Sequence, residues 1–186
     1  MSEFKVAEEI KVDDEIIMRR ISHEYDQDRF DTIVASHDHL LPWMPWAHFY
    51  ENTGIEAMTE FCNGQIEAFD KGATLGYDII YNGKFVGAID IHNLDGENRH
   101  CEIGYWLGKD NTGHGIATRC AAKITKYAFE ALDMHRVVIR AAVGNDASNK
   151  VAERLGFPKE ATLIEEQRLD GKFYNTNVYA KINPNH

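Results

Sequence analysis

The chain has 186 residues, three cysteines and a formal net charge of −10. That length suits a single domain with a sizeable core, residues 1–186 as one unit. The acid excess argues against direct nucleic-acid binding, which calls for basic patches, and favours cationic partners, an amine among them. Cys62, Cys101 and Cys120 are odd in number and scattered, which suits reduced thiols better than a disulfide framework or a metal site. No apolar run is long enough to span a bilayer, and Met1 to Lys11 is charged throughout, so neither a membrane segment nor a signal peptide is expected. A cytoplasmic location follows.

Along the chain, Glu15 to Ile21 reads as a first strand, and helical spacing follows from about His23 to Ser36, with Phe30, Ile33 and Val34 apolar. A Pro/Trp loop follows. Thr53-Gly54-Ile55-Glu56 has the form of a capping box opening a helix, whose Ile55, Met58, Phe61, Cys62, Ile66 and Phe69 repeat at three and four. Asn82-Gly83 between Tyr77–Tyr81 and Phe85–Ile91 is a two-residue hairpin signal, and Asp95 to Asn98 marks a further turn. A strand over Cys101–Leu107, a helix to about Leu132, a strand over Val137–Ala142 and a helix over Ala147–Leu155 capped by Gly156 come next. Strands near Leu163–Leu169 and Phe173–Ile182, joined through Asp170-Gly171, close the chain. Hairpins followed by a βαβ unit predict an α+β fold, a mixed sheet with helices on both faces.

The join at Thr112-Gly113-His114-Gly115 carries the most information. A strand empties into a glycine turn and a helix starts at once. The first amides of a helix have no intrahelical partner and sit at the positive end of its dipole, a cradle for phosphate oxygens. At Gly113 and Gly115 a side chain would hold a pyrophosphate off those amides. A nucleoside-triphosphate loop would need Lys-Ser/Thr after the last glycine, where Ile116-Ala117 stands. The dinucleotide fingerprint would need a glycine at Thr118 and an acidic residue about 20 residues on, where the next strand instead ends in Arg140-Ala141-Ala142.

Thr112 to Ala117 resembles instead the Gln/Arg-x-x-Gly-x-Gly/Ala signature of the GNAT acetyltransferases, with Thr112 replacing the usual first residue. Asn145-Asp146-Ala147-Ser148 followed by Leu155-Gly156-Phe157 is similar to the family's Asn-x-x-Ser…Leu-Gly-Phe segment. His39-Leu40-Leu41-Pro42-Trp43-Met44-Pro45-Trp46 and Asp170-Gly171-Lys172-Phe173-Tyr174 resemble the aromatic loop and last hairpin of its RimL/RimJ-type branch, ribosomal-protein α-N-acetyltransferases. The matching segments run from about residue 15 to 182. The resemblance implies a GNAT fold with a mostly antiparallel sheet of about seven strands. It also implies acetyl-CoA as cosubstrate, direct transfer to a primary amine without a metal, and a homodimer. The preferred acceptor is a protein α-amino group, a ribosomal-protein N-terminus in particular. A small amine, an amino acid or an antibiotic is the alternative acceptor, and a non-catalytic CoA-binding sensor the alternative of another class.

A lysine-like amine costs roughly 4 to 5 kcal/mol to hold neutral at pH 7, whereas an α-amine costs about 1 kcal/mol, so an α-amine asks much less of a base. Glu102, in an apolar strand beside the turn, is the leading candidate, since an apolar setting makes a carboxylate a better base. In some relatives a carboxylate on the penultimate strand serves, here near Glu165, Glu166 and Gln167; if Gln167 holds the spot, that route is closed. The resemblance further implies that the strand over Tyr105, Trp106 and Leu107 splays from its neighbour and offers a backbone N–H to the oxyanion. Many members place a tyrosine where Ala152 stands, and the branch uses a serine, here Ser148, beside the thiolate. Thr112, Gly113, His114, Gly115, Ile116, Ala117, Thr118 and Asn145 are expected to bind the cofactor, and Trp43, Trp46 and Phe49 to shape the acceptor site. His37, His39 and His48 could line an amine pocket but show no third metal ligand at a sensible spacing.

Overall fold

The computed structural model describes residues 6–169 and 171–185. Its elements in order are β1 (Glu9–Lys11), β2 (Ile16–Arg20), α1 (Asp26–Ala35), α2 (His37–Leu40), α3 (Ala47–Glu51), α4 (Ile55–Asp70), β3 (Leu75–Tyr81), β4 (Lys84–Asp95), β5 (His100–Leu107), α5 (Ile116–Glu130), β6 (Arg136–Ala142), α6 (Asp146–Arg154), β7 (Lys159–Leu169) and β8 (Lys172–Ile182). The eight strands form one sheet in the order β1-β2-β3-β4-β5-β6-β8-β7. Every neighbouring pair is antiparallel except β5–β6, the two strands joined by the α5 crossover.

Sequence reading misses β1, three residues in which Ile10 is the only buried side chain, so no alternation could develop. It also misses α2 and α3, four and five residues long, too short for helical periodicity to register. The capping box is corrected. Gly54 is the N-cap of α4 and makes no side-chain cap, while the Thr53 hydroxyl is buried without a hydrogen-bond partner among the described residues. Phe61, expected on the buried face, stands exposed. The Asn82-Gly83 hairpin forms as read, Tyr81 pairing with Lys84. Asp170, the first residue of the last turn, lies outside the described residues.

Helices cover both faces. On one, Ile116, Cys120, Ile124 and Ala128 of α5 pack with Cys101, Ile103, Val137 and Ile139 of the sheet. On the other, Ile33 of α1, Met58 and Cys62 of α4, and Tyr50 of α3 form a second cluster. A buried ion pair joins α1 to the sheet: Arg29 donates to both Asp78 oxygens of β3 at 2.7 and 2.9 Å and to Asp26 at 2.9 Å. No helix among the described residues is long and apolar enough to cross a membrane.

One irregularity positions the site. β5 pairs with β6 only through His100↔Arg136, Cys101↔Val137 and Glu102↔Val138. β6 nevertheless continues to Ala142, held along its whole length by β8, and β5 continues to Leu107, held by β4. The two strands therefore part beyond Glu102. Peptide groups alternate sides along a strand, so part of the Ile103–Leu107 backbone faces the gap.

Candidate active site

A cavity of about 460 Å³ opens where β5, α5 and α6 meet. Tyr105, Trp106 and Leu107 line it from the strand, Thr112, Gly113, Gly115, Ile116, Ala117 and Thr118 from the turn and first helical turn. Gly113 and Gly115 have φ of +81° and +72°, left-handed backbone that side chains with a Cβ resist. A Cβ at either would meet open space, so the turn's shape, not crowding within the protein, demands glycine. Gly115 caps α5 without any side-chain hydrogen bond, and no acidic residue sits in the first turn. The amides there are left for an anion.

Two cations missed in the sequence reading, Lys150 and Arg154, line the same cavity one turn apart on α6. Nothing in the chain order brings α6 beside the glycine turn; the β5-α5-β6-α6 winding does. Arg119, although in the first turn of α5, is tied to Asp13 and Glu15 at 2.9 and 2.8 Å. Of the other residues expected to contact the cofactor, Asn145 lines the cavity and caps α6, its Oδ1 accepting from the Ser148 amide at 3.1 Å. His114 is exposed and does not line the cavity. The Thr112 hydroxyl donates to the Lys109 carbonyl at 2.9 Å. An uncapped helix end, flanking cations and a cleft leading into a parted sheet fit a phosphorylated cofactor with a long arm.

At the far end lies a smaller cavity of about 150 Å³, in the gap itself. It is bounded by Gly104 and Tyr105 of β5, Arg140 and Ala142 of β6, Ser148 of α6, Trp43 and Gln167. Ser148 lines both cavities. It is not the helix cap, that being Asn145, so its hydroxyl is not used to cap α6. The Tyr105 hydroxyl lies 3.2 Å from Ser148 Oγ and donates to its carbonyl at 3.3 Å. Burial pushes the Tyr105 phenol up to about 12, so it is protonated at neutral pH and able to donate. Chain order alone could not couple residues 105 and 148.

Glu102 points to the opposite face from α5, beside Asp90 and His92 of β4. A Cβ on Gly104, on that same face, would lie 3.3 Å from His92 and 3.4 Å from Asp90. Its surroundings correct the expected apolar setting. Arg140 Nε is 3.2 Å from the Glu102 carboxylate and His92 Nε2 is 3.8 Å from it. Glu102 borders neither cavity; its partner Arg140 lines the gap. His92 in turn holds Asp90 through Nδ1 at 2.5 Å, and this hydrogen bond raises the imidazole above its ordinary value, against the opposing effect of burial. Neither Asp90 nor His92 was visible as a site residue, because their role depends on cross-strand register with Glu102. Among the three penultimate-strand candidates, Gln167 is the one that lines the gap. Glu166 shares Arg140 at 3.2 Å, and the Glu165 amide is bound by Asn175 Oδ1.

Of the aromatic residues assigned to the acceptor, Trp43 lines both cavities and packs edge-on against Tyr174. Trp46 and Phe49 line neither; they form a partly exposed aromatic array with Tyr50 and Trp106. His39 reaches the larger cavity, while His37 and His48 do not. Cys62, Cys101 and Cys120 are free and buried, each thiol pushed by burial up to about 12, so none is a nucleophile at neutral pH.

Comparison with known proteins agrees with this geometry. Residues 15–158 match the model of the acetyltransferase (GNAT) domain family. The Bacillus subtilis (strain 168) protein YdaF, provisionally named a ribosomal N-acetyltransferase, is 32% identical over 173 residues, 92% of this chain and 93% of that one. A crystal structure of the microcin C7 self-immunity acetyltransferase MccE with acetyl-CoA and AMP superposes with a TM-score of 0.90. It is 28% identical and covers 95% of this chain and 97% of its own. RimL, a ribosomal L7/L12 α-N-protein acetyltransferase in complex with coenzyme A, superposes with a TM-score of 0.89 at 24% identity, over 94% of this chain and 98% of its own. The chain belongs to the GNAT acetyltransferase family and is an acetyl-CoA-dependent N-acetyltransferase.

Proposed function

We propose that this enzyme, as one domain, moves an acetyl group directly to the N-terminal α-amino group of a protein, a ribosomal protein being the preferred acceptor. The observation that carries the reading is the gap between β5 and β6. It joins the larger cavity on the α5 face to the smaller one, whose Arg140 holds the Glu102 and Glu166 carboxylates at 3.2 Å. Carboxylates held beside that gap suit an acceptor that arrives protonated and must lose its proton. The provisional name of YdaF, a ribosomal N-acetyltransferase, and that of RimL, a ribosomal L7/L12 α-N-protein acetyltransferase, support the acceptor class. As part of the same reading the enzyme works in the cytoplasm, as a homodimer, without nucleic-acid contact.

Acetyl-CoA supplies an acetyl thioester when bound. Thr112 to Thr118 hold its phosphates through backbone amides, with Lys150 and Arg154 screening their charge. Backbone N–H groups of Tyr105–Leu107 that face the gap stabilise charge developing on the carbonyl oxygen. Glu102 takes the amine proton, through water because its carboxylate does not border the gap, and His92 with Asp90 steadies that carboxylate. Ser148 donates a hydrogen bond to the departing sulfur. Tyr105 fixes that hydroxyl by turning its one O–H from the Ser148 carbonyl to Ser148 Oγ, which leaves the serine proton for the sulfur.

The test is transfer from labelled acetyl-CoA to ribosomal proteins isolated without N-terminal acetylation, with products separated by size and mapped. Label at a protein N-terminus is expected, falling at least tenfold with Glu102→Gln. Label confined to polyamines or aminoacyl derivatives would overturn the acceptor, and no transfer despite acetyl-CoA binding would favour the sensor.

A further inference from the structure

We propose that His37, His48 and Glu51 form a binding site for a divalent metal ion of the zinc class, which ties α2 to α3. His37 opens α2, and His48 and Glu51 lie three apart on α3. Sequence spacing offered no third ligand for these histidines; folding supplies Glu51. His48 Nδ1 is 3.2 Å and His37 Nε2 3.6 Å from the same Glu51 oxygen, and the three donor atoms all lie within 4.8 Å of one another. Bonds of about 2.0 to 2.1 Å in a tetrahedral zinc site put neighbouring donors roughly 3.3 to 3.4 Å apart. The separations of 3.2 and 3.6 Å bracket that edge.

A second observation points to a ligand. His37 Nε2 is shut off from solvent and has no hydrogen-bond partner among the described residues. A buried polar atom left unpaired is destabilising, and a metal ion would satisfy it. The other ring nitrogen, Nδ1, faces the Asp38 carboxylate at 3.4 Å. A carboxylate there favours the tautomer that leaves Nε2 unprotonated, the outer-shell support metal-binding histidines commonly have. His48 and Glu51 face solvent, which gives an ion a way in and water a fourth coordination position.

The site lies outside both cavities and is independent of the acceptor assignment. It brackets the loop carrying Trp43, which lines both cavities, and Trp46, which packs on Trp106. An ion would therefore order the acceptor side of the enzyme from behind without touching the reaction.

The full chain, stripped with a chelator, is titrated with Zn²⁺ by calorimetry and with Co²⁺ by absorption, whose d–d bands report tetrahedral coordination. One ion per chain and a melting temperature that rises with zinc are expected. His48→Ala and Glu51→Gln each weaken binding by at least about a hundredfold, since even outer-shell partners cost 10- to 100-fold. His100→Ala, a histidine facing Asp95 at 3.8 Å, leaves zinc binding unchanged. Glu51→Gln is close to isosteric and carries the test if His48→Ala does not fold. Absence of stoichiometric uptake, or equal affinity in Glu51→Gln, overturns the proposal and leaves an ion-pair network between the two helices.

Discussion

Replacing Ser148 by alanine tests the departure of the thiolate most directly. A hydrogen bond to a charged group contributes about 1.5–3 kcal/mol, and each 1.36 kcal/mol is tenfold in rate, so kcat should fall roughly 10- to 160-fold. Acetyl-CoA affinity should hold, because the hydroxyl serves the leaving sulfur and not the phosphates. Tyr105→Phe keeps the ring and removes the hydroxyl that lies 3.2 Å from Ser148 Oγ. It acts only through Ser148. Losing one neutral hydrogen bond of about 1 kcal/mol predicts roughly a fivefold drop in kcat. The double variant should then be no slower than Ser148→Ala alone, a coupling of about 1 kcal/mol between the two side chains. Single-turnover transfer at saturating acetyl-CoA is the assay, since slow product release would mask the chemical step. A Ser148→Ala rate within twofold of the parent would refute Ser148 as the donor. If Tyr105→Phe instead costs the same fivefold in the Ser148→Ala background, the tyrosine works independently of the serine.

Asp78→Ala leaves Arg29 buried with Asp26 as its remaining carboxylate partner. Breaking a buried pair costs about 3–5 kcal/mol, the lower end applying because Asp26 stays, and urea denaturation should show it; a loss under about 1 kcal/mol would mean the pair contributes little. The Lys150→Ala/Arg154→Ala variant should raise KM for acetyl-CoA about tenfold with kcat intact, an effect that shrinks in high salt. A salt-independent change would argue against phosphate contact. His92 titrates above its ordinary value of 6.5 because Asp90 accepts from it. The stability this pair contributes is complete below pH 6.5 and is lost as pH rises through the folded-state value. Asp90→Asn should bring the His92 midpoint, followed by NMR, back down; an unmoved midpoint would assign the shift elsewhere.

Much of the fold is written locally. The Asn82-Gly83 hairpin, the α5 start at Gly113–Gly115 and the β5-α5-β6 order each depend on neighbours in sequence, and period and turn chemistry expose such features directly. The elements that escaped reading are too short to carry a period, β1 with one buried side chain and α2 and α3 with about one turn each. Thr53 could be misread as a cap because a capping box and a chance Thr-x-x-Glu look alike until the backbone shows which residue turns out of the helix.

By itself the sequence determined the glycine turn at the start of α5, since glycine at a left-handed turn and an uncapped helix end are local requirements, while the resemblance of its motifs to the family supplied the candidates Ser148 and Glu102. Only the tertiary structure decided what those residues touch. Glu102 meets Arg140 and His92 because three strands bring them level, Ser148 meets Tyr105 across the gap, and Gln167, not Glu165 or Glu166, lines that gap. Arg29, one charged residue among many on α1, is the group that fastens that helix to the sheet. Such partners are set by register and by the parting of two strands, long-range properties that no local pattern encodes.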